Sequence, residues 1–98
     1  MKYRLEIKVE ARQDITEAVR WYEKKREKLG EEFLEEVLSY LEYLELNTGV
    51  HQKKNNDNRE LILKRFPYVI VYRIINDLVV ILAVSHFKLN PTKKHSRK

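Results

Sequence analysis

The sequence predicts an α+β domain, with a helical hairpin packed on a mostly antiparallel sheet. Three observations lead there: strict apolar/polar alternation over residues 2–9, two consecutive stretches of helical period divided by a glycine, and three β-rich runs split by turn residues. Tyr3, Leu5, Ile7 and Val9 alternate with Lys2, Arg4, Glu6 and Lys8, which is the pattern of a strand with one wet face. From about Ala11 the period lengthens. Ile15, Ala18, Val19 and Tyr22 form one helical stripe, widened by Trp21, and Trp21 and Tyr22 are assigned to the core. Lys24, Lys25, Arg26 and Lys28 place cations at the negative end of that helix, and Gly30 is the expected left-handed stop.

Glu31 and Glu32 open a second helix, whose apolar face is read as Leu34, Val37, Leu38, Leu41 and Leu44, and Asn47-Thr48-Gly49 closes it. So short a break between amphipathic helices implies an antiparallel hairpin. The polar stretch 47–58 reads as a surface loop. Strands are then expected at about Arg59–Arg65, Tyr68–Ile75 and Leu78–Phe87, joined by tight turns at Phe66-Pro67 and Asn76-Asp77. A two-residue loop at Asn76-Asp77 sets Tyr72 opposite Ile81 and Val71 opposite Leu82.

On that register both sheet faces are apolar. One carries Tyr68, Ile70, Tyr72, Ile74, Val79, Ile81 and Ala83, the other Val69, Val71, Leu78, Val80, Leu82 and Val84. A helical hairpin covers one face. The second is either wrapped by the chain's own elements or left for a partner chain, for which Val69, Val71, Leu82 and Val84 are the candidate contacts.

Length and composition bound the function. The chain has 98 residues, enough for one core, and is read as a single domain over 1–91 with a basic tail over 92–98. It has no run of about 18 apolar residues, so no membrane span is expected. The absence of cysteine and of a secretory leader pattern leads to an expected cytoplasmic location. His51, His86 and His95 have no metal-ligand spacing, and neither a metal nor a cofactor is expected. Residues 1–49 hold 9 Lys/Arg against 12 Asp/Glu, a net −3, and residues 50–98 hold 11 against 3, a net +8. That asymmetry suits an acidic polypeptide or a nucleic acid as partner, or reflects a basic tail.

Four stretches in fixed order carry a resemblance. They are Ala18-Val19-Arg20-Trp21-Tyr22-Glu23, Leu29-Gly30-Glu31-Glu32-Phe33-Leu34-Glu35-Glu36, Lys64-Arg65-Phe66-Pro67-Tyr68-Val69-Ile70-Val71-Tyr72-Arg73, and Leu82-Ala83-Val84-Ser85-His86 followed by Asn90-Pro91. Together they resemble the RelE/ParE toxin superfamily of type II toxin-antitoxin systems from about Tyr3 to Pro91. The resemblance implies a β-α-α-β-β-β toxin neutralised by a cognate antitoxin in a hetero-oligomer. Its target would be messenger RNA at the ribosome for a RelE-like member, or DNA gyrase for a ParE-like one.

A metal-free ribonuclease needs an acid, a base and cations around the phosphate. The candidates here are His86 and Lys64 for catalysis, and Lys64, Arg65, Arg73 and Lys88 for nucleic-acid or target contact. The expected register puts Lys64 and His86 on one face, whereas Arg73, opposite Val80, is about 20 Å from His86. An unperturbed histidine titrates at about 6.5 and can serve as acid or base. The RelE nuclease pattern has an arginine soon after the last strand and often a later tyrosine. This chain has Lys88-Leu89-Asn90 there and no tyrosine beyond Tyr72. Lysine does not grip a phosphate bidentately, which favours a ParE-like, non-enzymatic reading. A ribosome-dependent nuclease and a non-toxic basic nucleic-acid-binding module are the alternatives.

Overall fold

A computed structural model of the chain describes residues 3–46 and 58–86. The elements run β1 (Arg4–Ile7), α1 (Val9–Lys25), α2 (Leu29–Leu46), β2 (Arg59–Ile62), β3 (Tyr68–Ile75) and β4 (Leu78–His86), the expected α+β succession. The described strands form one sheet in the order β1-β4-β3-β2. β2, β3 and β4 make an antiparallel meander, and β1 joins the free side of β4 in parallel. The α1–α2 hairpin is the crossover between β1 and the meander and covers one sheet face. The expected loop over 47–58, apart from Asn58, and the tail over 92–98 lie outside the described residues, and neither described helix is long and apolar enough to cross a membrane.

The core lies between the hairpin and that face. Phe33, Val37, Leu41 and Leu44, spaced by four, four and three, present one stripe of α2. It meets Ala11, Ala18 and Tyr22 of α1 and Ile70, Tyr72, Val79 and Ile81 of the sheet. Burying an aromatic or aliphatic side chain of this kind contributes roughly 1.5–3 kcal/mol. Two core assignments change. Trp21 is 47% exposed, its ring edge-on to Tyr22 and capped by the Lys25 ammonium at 4.6 Å. Leu38 is 52% exposed because the α2 stripe is centred on Phe33, Val37, Leu41 and Leu44, with Phe33 in the place expected for its neighbour Leu34.

The helical hairpin turns differently from the expected glycine stop. Lys28 takes the left-handed conformation, with φ 73°, and Gly30 already belongs to α2. The Glu23 carboxylate, from the last turns of α1, caps the start of α2 by accepting the Lys28 and Gly30 amides at 2.7 and 2.9 Å. Gly30 is required by proximity: a Cβ there would stand 2.6 Å from the Val19 carbonyl oxygen.

The register of the meander is as expected up to Tyr72↔Ile81, and then shifts. Val71 pairs with Ala83, so Leu82 is an unpaired β-bulge residue. Beyond it the side chains of β4 exchange faces. Val84 packs in the main core under the helices, and Ala83 joins Val69 and Val71 on the second face with Leu82 partly buried beside them. The expected pairing of Val71 with Leu82, and the placement of Val84 with Val69, are both corrected by this one residue. The centre of the second face is also covered, with Val69, Val71 and Ala83 at 1%, 2% and 0% exposed within the single chain, while Ile62, opposite Val69, is 62% exposed at its β2 side. The expectation of an open apolar sheet surface is therefore not met at Val69, Val71 and Val84, whereas Leu82 stays partly exposed.

Two substitutions in the hairpin are expected to act in opposite directions. Gly30→Ala pushes α2 off the backbone of α1 and should cost about 1–3 kcal/mol. Lys28→Gly relieves a left-handed non-glycine residue and should gain up to about 1 kcal/mol after the entropy of glycine in the unfolded chain is offset. Urea denaturation of the three proteins measures both.

Candidate functional site

The β2–β3 connection is built from both ends. Leu63 and Phe66 are buried, and the Leu63 amide donates to the Tyr68 carbonyl while the Tyr68 amide donates to Phe66. Pinned by these apolar anchors, the intervening Lys64 and Arg65 are turned outward and exposed. The connection is thus a five-residue segment, Leu63–Pro67, and the expected two-residue turn at Phe66-Pro67 is replaced because Leu63 leaves the strand to enter the core.

Two carboxylates of α2 hold this basic turn. Glu36 accepts the Lys64 amide at 2.8 Å and the Arg65 amide at 3.3 and 3.1 Å. One turn earlier, Glu32 accepts a 2.7 Å charged hydrogen bond from the Arg65 guanidinium and a 3.3 Å bond from Arg26. These bonds from Arg65 and Arg26 hold the Glu32 carboxyl below the usual carboxylate range. Arg65 also lies over the Phe66 ring at 5.3 Å. The open hollow beside the turn, about 420 Å³, is lined by Glu32, Glu35 and Glu36 as well as Lys64 and Arg65. A second, mostly apolar hollow of about 320 Å³ continues along α2 through Ser39, Tyr40, Tyr43 and Leu61.

At the end of β4 the bulge decides the surroundings of His86. His86 pairs with Tyr68, and the two rings meet edge to face at 5.0 Å. β4 outruns β1, whose pairing ends at Ile7↔Ile81, and the Val84 amide donates to the Asp14 carboxylate of α1 at 2.9 Å. The Tyr68 hydroxyl is pushed up to about 12, first by burial and then by Tyr22, Asp14 and Glu17 nearby. It stays protonated at neutral pH and supplies no base.

The sequence-derived site therefore divides. Lys64 and Arg65 stand together on the turn, and His86 is against Tyr68, outside the lining of the hollow that holds Lys64. The shared face expected for Lys64 and His86 relied on the unbulged register, and the bulge turns His86 with Val84 toward the helix side. Arg73 lies opposite Val80 as expected, its Nε donating to Asn58 at 2.9 Å. Lys88 lies outside the described residues. Sequence reasoning missed the residues that organise the turn, Glu32 and Glu36. Their spacing of four on one helix was visible, but Glu32 was read only as a favourable charge at the start of that helix. Among the described residues no group of three His, Cys, Asp or Glu side chains is placed to hold a metal.

Residues 5–88 match the family described as the ParE toxin of the type II toxin-antitoxin system, parDE. This chain belongs to that toxin family. A curated relative, Toxin RelE3 of Caulobacter vibrioides, is 29% identical over 84 residues, covering 84% of this chain and 91% of the relative. Among solved structures, the chromosomal ParDE TA system from P. aeruginosa superposes with a TM-score of 0.73 at 15% identity, over 86% of this chain and 95% of the other. A doubly substituted E. coli toxin RelE in the free state gives 0.54 at 17% identity, over 99% and 94%. The toxin thus has the α+β fold of the RelE/ParE superfamily, and membership of a type II system implies a cognate antitoxin.

The lowered Glu32 carboxyl gives the toxin a pH signature. A carboxylate whose folded pKa is depressed contributes stability that is present above its ordinary pKa and is lost as pH falls through the depressed one. Glu32→Gln should therefore flatten the acid limb of a plot of Tm against pH while leaving its shape above neutrality unchanged. An acid limb as steep as that of the parent protein would remove Glu32 from the account.

Proposed function

We propose that this toxin acts in the cytoplasm by binding a protein target in the ParE manner, with DNA gyrase as the first candidate, and that its antitoxin neutralises it. The observation that carries the reading is the way the basic turn is occupied. A nuclease needs cations free to gather round a phosphate as charge builds on it, with an acid and a base in reach. Here Arg65 is committed to Glu32, and Arg73 to Asn58. Three carboxylates line the hollow beside Lys64, where a phosphodiester would be repelled. Contact with a polypeptide makes no such demand: one exposed cation, hydrogen-bonding groups and nearby apolar surface suffice.

Induced expression without antitoxin is expected to arrest growth, and purified toxin to inhibit supercoiling by gyrase. Normal supercoiling at saturating toxin would remove gyrase as the target. Codon-phased cuts in translated messages, slowed by His86→Ala or Lys64→Ala, would replace the binding reading with the RelE-type nuclease.

A further inference from the structure

Two adjacent cations on one turn have been given different tasks by their surroundings. Arg65 is tied down on both its charged head and its backbone, by Glu32 and Glu36. Lys64 is tied only through its backbone, whose amide donates to Glu36 at 2.8 Å. Its side chain is exposed, and among the described residues no carboxylate approaches its ammonium within salt-bridge distance. Glu36 thus fixes where Lys64 starts from without neutralising its charge. A carboxylate spent on two consecutive backbone amides of an exposed turn is a restraint on geometry: it removes conformers the turn would otherwise sample.

We infer that Glu36 is a positioning residue, which presents the Lys64 ammonium to a carboxylate of the antitoxin. The inference rests on the protein-binding reading, and its partner is the one whose existence family membership implies. An acidic residue is the complement of an exposed ammonium whose neighbours Glu32, Glu35 and Glu36 would repel it unless the contact is made outside the hollow. That sets the geometry: the partner's carboxylate approaches Lys64 from the solvent side of the turn, and Glu36 keeps the turn from folding the ammonium back over α2. Arg65 serves as the second tether and its guanidinium makes no partner contact.

The test is a double-mutant cycle on the intact toxin–antitoxin complex, read as the dissociation constant at low and at physiological salt. Lys64→Ala should weaken the complex about tenfold at low salt and less at higher salt, as one screened charge pair does. Glu36→Ala should give a smaller loss of the same salt dependence. Glu36→Gln should recover part of it, because its carbonyl oxygen still accepts one of the two amides. In the Lys64→Ala background, Glu36→Ala should add nothing, since a positioning residue has no effect once the group it positions is gone. Losses that add, or that fail to depend on salt, would show that Glu36 merely stabilises the fold and would overturn the inference, as would an unchanged affinity in both single variants. Growth on induced expression is scored in parallel. Continued growth with a non-additive cycle sinks the toxic activity and leaves this assignment standing, whereas arrest with an additive cycle does the reverse.

Discussion

The arrangement of the sheet depends on one extra residue in β4. Without the bulge at Leu82, Val84 would lie on the second face and Ala83 under the helices, and the largest side chains of β4 would crowd the side that α1 and α2 do not cover. With it, the bulky Val84 fills the main core, and the small Ala83 sits beside Val69 and Val71. β4 also runs past the end of β1, which stops at Ile7 where the chain turns into α1, and an exposed strand edge there would have to satisfy its amides with water. Asp14 meets that need for Val84 from the neighbouring helix. The inserted residue in the ladder and the swap of two side chains are therefore a single event, and the position of His86 against Tyr68 is its consequence.

Element types and order were legible because each rests on a local period: alternation for β1, the helical stripe for α2, and two turn residues at Asn76-Asp77, where Asn76 adopts a left-handed φ of 56° that asparagine tolerates. The first four pairs of the β3–β4 ladder followed by arithmetic from that turn. The bulge did not, because Leu82-Ala83-Val84 is apolar at every position and alternation there carries no parity to violate. Trp21 and Leu38 were misplaced for a related reason. Each extends an apolar stripe by one side chain, and only the packing of Tyr22 on Phe33 and Phe66 decides where that stripe is centred.

The site was legible in its cations and illegible in its carboxylates. Lys64 and Arg65 stand out beside Phe66-Pro67, and the structure places them together on an exposed turn. Glu32 and Glu36 sit on a helix with many acidic neighbours, and no local rule distinguishes a carboxylate that will reach across to another element's backbone. Glu23 poses the same problem at the hairpin, where a side chain of α1 caps α2 in place of the residue immediately preceding it. In each case the sequence separation between carboxylate and amide exceeds what capping patterns describe, from five and seven residues at Glu23 to 28 and 29 at Glu36.

These carboxylates bear on activity as well as on folding. A basic turn in a chain of net charge +5 invites a nucleic-acid reading, because clustered lysine and arginine are the electrostatic footprint of phosphate contact. Charge count alone does not discriminate, since it ignores where the charge is already balanced. Around Arg65 the compensation is local and hydrogen-bonded, whereas Lys64 is held only by its backbone amide: a phosphate approaching Arg65 would have to displace Glu32 from a 2.7 Å contact and then sit among three carboxylates. A polypeptide partner faces no comparable cost, because a single carboxylate can meet Lys64 from outside while its backbone and apolar groups use the adjoining surface of α2 and β2. The electrostatics of this corner thus support the protein-binding proposal, and they do so through residues of the opposite sign to those that first attract attention.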